Sequence, residues 1–195
     1  MCGRYYVDEE MLHEIKKITR KIDEKFGNVR AGEILPSQNA MVLTGKTPEL
    51  SAEIMQWGFP RYDKKGLIIN ARAESVKEKK TFRDSAIHRR CIVPAAHYFE
   101  WDKEKSKTTL SRTDEGIVYM AGIYQYFQNV ERFVILTTEA NPSVIKIHDR
   151  MPLILEEKEL EGWIYDNELA DYLLRKTPVH LKTFQEYTQQ TLNFY

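Results

Sequence analysis

Two long runs of strand-forming residues dominate the middle of this 195-residue chain. Residues 116–127 and 132–138 are rich in Val, Ile, Tyr and Phe, and the polar pair Gln128-Asn129 lies between them. β-branched and aromatic residues favour strands, and a short polar connection favours an antiparallel hairpin. We therefore predict a long hairpin at the centre of the fold.

Shorter β-rich runs bounded by turn residues accompany this hairpin, and they are typical of an irregular sheet. One of these runs ends at residue 35, and the others lie at residues 2–7, 40–44, 51–57, 67–71, 91–93 and 152–155. The strand at 91–93 is predicted to stop at Pro94, because proline lacks the backbone N–H that a ladder needs.

Helices are predicted around this sheet. Asp8 is a candidate N-cap for a helix that ends near Gly27, because apolar residues recur at three- and four-residue spacing between them. Thr81 is a candidate cap for a helix over 82–89, and two further helices are predicted over 156–164 and 167–176. The result is an α+β class chain, a single domain over 1–195, mainly a β irregular barrel-like sheet with peripheral helices.

Length and composition agree with one soluble domain. The chain is 42% hydrophobic, which suffices for one core. No apolar stretch reaches the roughly 20 residues of a membrane-spanning helix, and the first 25 residues lack the apolar region of a signal peptide. We expect a cytoplasmic protein with no membrane partner.

Charge is balanced overall but not along the chain. There are 29 basic and 29 acidic residues, yet residues 61–90 hold ten basic residues against four acidic ones. This run is either a solvated surface or the contact for an anionic partner, and the sequence leaves both open.

Cys2 is the candidate nucleophile. Two cysteines, Cys2 and Cys91, make no disulfide framework and fit no zinc pattern, so we expect no metal site. Removal of Met1 would leave Cys2 as a 1,2-aminothiol, whose amine and thiol are both reactive near neutral pH. Such a group traps aldehydes as thiazolidines or transfers acyl groups. Composition alone is equally compatible with a small residue near a terminus.

Three further positions are candidates for polar chemistry. In an extended strand Asn70, Arg72 and Glu74 share one face, which suits an anion, although an internal Arg-Glu pair is the alternative. Glu100 lies among aromatic residues, and exclusion of water would favour its neutral acid form, whereas strand alternation could instead leave it on a solvated face. His148 precedes Asp149, a weak signal by itself.

Aromatic and proline residues also occur at predicted turns, in Pro36-Ser37-Gln38 and Trp57-Gly58-Phe59-Pro60. Exposed rings beside cations stack on unpaired bases, whereas a Trp at a turn more often closes the edge of a core.

Taken together, eight segments resemble the SOS response-associated peptidase (SRAP) family, whose members react covalently with abasic sites in single-stranded DNA. They occur in family order between residue 1 and about residue 155. The segments are Met1-Cys2-Gly3-Arg4-Tyr5, Leu35-Pro36-Ser37-Gln38, Trp57-Gly58, Asn70-Ala71-Arg72-Ala73-Glu74, Arg89-Arg90-Cys91-Ile92-Val93-Pro94-Ala95, Phe99-Glu100-Trp101, Thr137-Thr138-Glu139-Ala140-Asn141 and Ile147-His148-Asp149-Arg150-Met151-Pro152.

The resemblance implies an SRAP-like fold followed by a helical and polar tail over 156–195. It implies that Met1 is removed, that Cys2 is the nucleophile and that the catalytic set is completed by Asn70, Glu100 and His148. It also implies a thiazolidine crosslink to an abasic site, accompanied by AP lyase and autoproteolytic activity. No metal or organic cofactor is expected, and the chain is expected to be a monomer.

The resemblance also implies a set of DNA-binding residues. Guanidinium groups would hold phosphates, and rings would stack on or wedge apart bases at a junction of single-stranded and double-stranded DNA. The first group is Arg4, Arg72 and Arg150, and the second is Pro36, Trp57 and Trp101. The balanced net charge predicts weak, salt-sensitive non-specific binding.

One position departs from the family pattern. His97 stands where the family usually has glycine, three residues before Glu100. If the backbone there needs a positive φ, histidine fits less easily than glycine and the loop differs.

Two other functions compete with this interpretation. An N-terminal-nucleophile glutamine amidohydrolase also begins with a processed Cys before Gly, but it gives no role to Arg4, Asn70 or His148. A non-catalytic single-strand DNA-binding module would leave Cys2 inert, and Cys2→Ala separates this alternative from the crosslinking enzyme.

Overall fold

The computed structural model describes residues 2–19, 21–22, 31–63 and 65–185. Its strands are short, apart from two of ten residues each. They are β1 (Tyr5–Val7), β2 (Lys21–Ile22), β3 (Gly32–Ile34), β4 (Asn39–Thr44), β5 (Ser51–Trp57), β6 (Phe59–Pro60), β7 (Leu67–Ile68), β8 (Asn70–Arg72), β9 (Arg90–Ala95), β10 (His97–Trp101), β11 (Lys107–Arg112), β12 (Val118–Phe127), β13 (Val130–Glu139), β14 (Arg150–Pro152), β15 (Ile154–Leu155) and β16 (Leu181–Gln185).

The helices are few and peripheral, as predicted. They are α1 (Glu9–Ile18), α2 (Arg83–His88), α3 (Leu160–Tyr165) and α4 (Asn167–Leu173), with single 3-10 turns at Ala73–Ser75 and Glu157–Glu159. The fold is therefore mostly β, with helices packed outside the sheets.

Two sheets build the molecule. One has five strands in the order β16-β11-β10-β1-β3, and the other has β14-β13-β12-β9-β4-β5-β2 as its main path, with β8 and β15 pairing at its side. A two-stranded ribbon of β6 and β7 stands beside them. The core joins side chains from both large sheets and from α1, α3 and α4.

The predicted central hairpin is confirmed. β12 and β13 pair antiparallel from Gly122 opposite Ile135 to Phe127 opposite Val130. Gln128 and Asn129 form the two-residue turn with φ values of 49° and 66°. Two positive φ values are the signature of a type I′ turn, whose twist matches that of the strands it joins.

The first predicted helix is correct at its start and wrong at its end. The Asp8 side chain accepts a hydrogen bond of 2.7 Å from the Met11 N–H, as an N-cap does. The helix stops at Ile18, because the backbone of Thr19 is extended. Residues 21–22 then pair in parallel with Ser51 and Ala52. The remainder of the predicted helix lies outside the described residues.

Three smaller predictions also need correction. The helix α2 begins after Phe82 without a side-chain cap, so Thr81 does not cap it. Strand β9 continues through Pro94, which is possible because its pairing with β4 covers only Cys91 and Ile92. The polar segment after residue 178 contains β16, which pairs with β11.

Strand β8 carries the Asn70 segment into the molecule. It pairs in parallel with β13, with Asn70 opposite Ile135 and Arg72 opposite Thr137. The pairing of β8 with β13 joins residues that are 65 positions apart. It brings the Asn70 segment to the end of the central hairpin where β14 also pairs.

Candidate functional site

Cys2 lies fully buried just before β1. Its thiol donates to the Arg4 carbonyl over 3.8 Å, and its own carbonyl accepts a hydrogen bond of 2.9 Å from the Asn70 side-chain amide. The second bond ties the N-terminal segment to β8. The other amide atom, Asn70 Oδ1, is buried and has no hydrogen-bond partner among the described residues.

The Cys2 thiol is in its neutral form in this environment. Burial raises the pKa of the Cys2 thiol well above its usual range, and the neighbouring Glu100 carboxylate raises it further. A thiolate at this position therefore needs compensating hydrogen bonds or positive charge.

Glu100 extends from β10 into the same interior and is 3% exposed. Burial raises the pKa of its carboxyl, while the charge of His148 acts in the opposite direction. A carboxyl with a raised pKa donates and accepts protons closer to neutral pH than an exposed one. The sequence-based expectation of water exclusion around Glu100 is consistent with this burial.

His148 is half-buried on the turn that leads into β14. Its Nδ1 accepts a hydrogen bond of 2.9 Å from the Arg150 N–H and lies 2.9 Å from the Asp149 carboxylate. Acceptance from the N–H requires an unprotonated Nδ1, so the neutral ring carries its proton on Nε2. A hydrogen bond from Nδ1 to Asp149 would instead require the proton on Nδ1.

The four predicted catalytic residues thus come together from four separate segments. Asn70 contacts Cys2 directly, Glu100 acts on the pKa of Cys2, and His148 acts on the pKa of Glu100.

Arg150 has a different position from the one expected for a phosphate ligand. It is buried, and its guanidinium makes two hydrogen bonds of 2.6 and 2.8 Å to the Glu74 carboxylate and one of 2.6 Å to the Thr137 carbonyl. A guanidinium committed in this way has little capacity for DNA. Its backbone N–H instead orients His148. The internal Arg-Glu pair considered for Glu74 therefore forms with Arg150, and not with Arg72.

Trp57 also differs from its expected place. It is fully buried, stacks on Phe133 with ring centroids 6.1 Å apart and donates its Nε1–H to the Ile69 carbonyl. No face of this ring is exposed in this conformation, and its stacking role stays a prediction. It closes the edge of the core.

Arg4, Arg72, Pro36 and Trp101 lie at or near the surface. Arg4 is positioned over the Trp101 ring at 5.2 Å from its centroid and pairs with Glu33 at 2.8 Å. Arg72 is exposed, and Pro36 is half-buried beside Ser37, whose φ is 74°. Arg72 also borders a cleft of about 400 Å³ together with Glu139, Asp149 and Arg150.

Tyr62 is an exposed aromatic residue that the sequence motifs did not single out. Tyr62 lies between β6 and β7 and is fully exposed, and Arg61 and Lys65 flank it on the same exposed segment. Its signal in the sequence was a tyrosine within the basic run and directly after a proline-containing turn.

His97 needs no special backbone. It lies in β10 opposite Tyr6, and its ring stacks on the Tyr6 ring with centroids 4.8 Å apart. The backbone of His97 does not have a positive φ. The glycine of the family pattern is therefore not required here.

The described residues contain neither a candidate metal site nor a candidate membrane-spanning helix. Within the described residues, no three His, Cys, Asp or Glu side chains are grouped to hold a metal ion. None of the helices in the same part of the chain is both long and apolar enough to cross a membrane.

Related proteins match most of the chain. A protein of Bacillus subtilis, the abasic site processing protein YoaM, is 32% identical over 191 residues, which are 89% of this chain and 83% of the relative. The abasic site processing protein YedK of Escherichia coli is 28% identical, over 84% of this chain and 79% of its own length.

Solved structures share the fold. A crystal structure of a Bacteroides thetaiotaomicron protein superposes with a TM-score of 0.81 at 23% identity, covering 94% of this chain and 91% of that one. A Bordetella bronchiseptica protein gives 0.80 at 22% identity, covering 96% and 100%.

The family model described as SOS response associated peptidase matches residues 1–193. This match spans every element described above, and it includes Cys2 and the three residues predicted to act with it, which are Asn70, Glu100 and His148. The chain belongs to the SOS response-associated peptidase (SRAP) family.

Proposed function

We propose that this protein processes abasic sites in DNA by capturing them covalently through Cys2, after removal of Met1. The observation that carries this proposal is the hydrogen bond from Asn70 to the Cys2 carbonyl, which holds the N-terminal segment against the buried Glu100. The names of the curated relatives, abasic site processing proteins, support the same substrate.

The chemistry follows from the aminothiol and the substrate. An abasic deoxyribose is in equilibrium with its ring-opened aldehyde. The Cys2 amine attacks the aldehyde carbon and loses water to give an imine, and the thiol then adds to the same carbon. Ring closure yields a thiazolidine, which joins protein and DNA without an oxidant or reductant.

Glu100 is the proposed general acid and base. Because burial raises the pKa of its carboxyl, a substantial protonated fraction persists nearer neutral pH than for an exposed glutamate. It donates a proton to the departing hydroxyl during imine formation and takes the thiol proton during ring closure.

His148 assists at the sugar. The Arg150 N–H engages Nδ1 and orients the ring, and Nε2 is the atom that exchanges protons with the ring oxygen of the deoxyribose. Asn70 positions the nucleophile and does not exchange protons.

Two further activities accompany this chemistry. The imine acidifies the neighbouring carbon, so β-elimination of the 3′ phosphate gives AP lyase activity. Autoproteolytic activity would cleave the peptide bond before Cys2 and so release the amine that forms the imine.

Single-stranded DNA is the proposed partner, including junctions with duplex. Arg4 and Arg72 are the guanidinium groups available to phosphates, together with the basic run of residues 61–90. Because Trp57 is buried, we assign base stacking to the exposed Tyr62, together with the predicted contacts of Pro36 and Trp101.

A crosslinking assay tests this function. Protein shown to lack Met1 is incubated with a single-stranded oligonucleotide that carries one abasic site, and the products are separated on a denaturing gel. We expect a stable shifted band for the natural protein and for Cys91→Ala, the matched cysteine control. We expect none for Cys2→Ala, nor with a tetrahydrofuran abasic analogue that has no aldehyde. A band that survives Cys2→Ala would overturn the proposal.

A further inference from the structure

Two tyrosine hydroxyls lie in the same buried core as Cys2, without a hydrogen-bond partner among the described residues. They belong to Tyr5 and Tyr98, which lie directly opposite each other on β1 and β10 and are both fully buried. A buried hydroxyl without a partner costs free energy, so such groups call for a functional explanation.

Tyr98 and Glu100 are two positions apart on β10, so their side chains lie on the same face of the strand, and both are buried. Thr108, opposite Glu100 on β11, adds another buried hydroxyl without a partner in the described part of the chain. Several buried hydroxyls thus accompany the Glu100 carboxyl on these paired strands.

The electrostatic neighbours of the two rings agree with this placement. Burial raises the pKa of Tyr98 well above its usual range, and Cys2 and Glu100 raise it further. Burial likewise raises the pKa of Tyr5, and the nearby Cys2 and Cys91 raise it further. Both hydroxyls therefore keep their protons at neutral pH and are able to donate hydrogen bonds.

The proposed crosslinking reaction creates an anion at this place. Ring closure needs the Cys2 sulfur as a thiolate, yet burial and Glu100 disfavour that charge. The buried guanidinium of Arg150 is already paired with the Glu74 carboxylate, so it does not supply a positive charge to the sulfur.

We propose that Tyr5 and Tyr98 are positioning residues for ring closure, whose hydroxyls donate hydrogen bonds to the Cys2 thiolate. The inference rests on the proposed function and names the groups that activate its nucleophile. In this step the S–H proton passes to Glu100, and the sulfur lone pair forms the new bond to the imine carbon. The imine π electrons become a nitrogen lone pair, which accepts a proton from Glu100. The hydroxyls stabilise the sulfur charge without losing their own protons.

Conservative variants test this role, because Tyr→Phe removes the hydroxyl and keeps the ring. Tyr5→Phe, Tyr98→Phe and the double variant are compared with Tyr119→Phe, a buried tyrosine whose neighbours are Glu157 and Glu14 instead of Cys2. Melting temperatures establish that each variant is folded. Two rates are measured with abasic single-stranded DNA: formation of the imine, trapped with borohydride, and formation of the thiazolidine.

We expect ring closure to slow about tenfold at neutral pH in Tyr98→Phe, since one hydrogen bond to a charged group is worth about that factor. The alkaline limb of its pH profile should move up by about one pH unit, while imine trapping and Tyr119→Phe stay within about twofold of the natural protein. Equal slowing of both steps without a pH shift would indicate a structural role and overturn the inference, as would no effect in the double variant.

A second readout separates this inference from the proposed function. Iodoacetamide alkylation of Cys2 without DNA, in a Cys91→Ala background, reports the thiol pKa directly. If the natural protein forms no crosslink, the proposed function fails. The alkylation profile still decides whether the tyrosine hydroxyls lower the pKa of this thiol.

Discussion

The side-chain amide of Asn70 donates a hydrogen bond of 2.9 Å to the carbonyl of Cys2, across 68 positions of sequence. This bond joins β8, which is fixed by its pairing with the central hairpin, to the segment that carries the nucleophile. The N-terminal residues are consequently held at a defined place beside Glu100.

Asn70→Asp tests the importance of this tether. The carboxylate cannot donate to the Cys2 carbonyl, and it places a negative charge near a thiol whose ionisation is already disfavoured. We expect crosslinking to fall by about 10- to 100-fold, measured as the initial rate of adduct formation on a denaturing gel. Asn39→Asp, at the exposed start of β4, is the matched control and should retain full activity. Equal rates for both variants would argue against a positioning role for Asn70.

Glu100→Gln is expected to separate stability from activity. Because the folded-state pKa of Glu100 is raised, its ionisation destabilises the fold as pH rises from the unfolded-state pKa through the folded-state pKa. The neutral amide removes that cost, so the variant should be more stable by about 1 kcal/mol at pH 7.

This gain should disappear in acid, below the ordinary glutamate pKa, where Glu100 is protonated in both states. Urea unfolding at neutral and acidic pH measures the stability, and the gel assay should show at least a tenfold slower crosslink. A variant that is less stable at pH 7 would contradict the burial cost assigned to Glu100.

Glu74→Gln is expected to have the opposite dependence on pH. The Arg150 guanidinium lowers the pKa of the Glu74 carboxyl, so the pair stabilises the fold above the unfolded-state pKa and loses this effect as pH falls through the folded-state pKa. Half of the Glu74 side chain is exposed, so we expect a loss of about 1 kcal/mol at pH 7 and little change in strong acid.

The same variant should also slow crosslinking several-fold, because Arg150 positions His148 through its backbone N–H. Chemical unfolding against pH, with Glu78→Gln as an exposed control, gives the measurement. If the natural protein and Glu74→Gln lose stability in the same way as pH falls, the stabilisation assigned to the Glu74–Arg150 pair is refuted.

Trp57 and Tyr62 should give opposite results. Trp57→Ala removes a fully buried ring and should cost about 3–5 kcal/mol of stability. Tyr62→Ala should leave the melting temperature unchanged and weaken binding to single-stranded DNA by about 1–3 kcal/mol. Fluorescence anisotropy with an undamaged oligonucleotide measures this affinity, in the Cys2→Ala background so that no crosslink forms. Unchanged affinity in Tyr62→Ala would remove this residue from the DNA path.

Local patterns sufficed for much of the fold. The hairpin of β12 and β13, the strand over 51–57 and the Asp8 cap all follow from residue preferences within a few positions. Their side-chain periodicity and turn residues act over short distances, which a single sequence displays directly.

Long-range pairing accounts for what the sequence could not predict. The first helix ends early where residues 21–22 pair with β5, and β16 forms where a polar segment meets β11. The partner of Glu74 is Arg150, 76 positions away, and nothing in the Asn70–Glu74 pattern indicates that choice. Similarly, a Trp at a turn reveals neither its burial nor the exposure of Tyr62 five positions later.

The central claim, covalent capture by an N-terminal Cys2, is tested most directly by the intact mass of the reaction product. Protein shown to lack Met1 is mixed with a single-stranded oligonucleotide that contains one abasic site, and the mixture is analysed without reduction. The account predicts a species with the mass of the protein lacking Met1 plus the oligonucleotide less one water, retained in Cys91→Ala and absent in Cys2→Ala. Recovery of only unmodified protein and DNA from the same Met1-free preparation would contradict it.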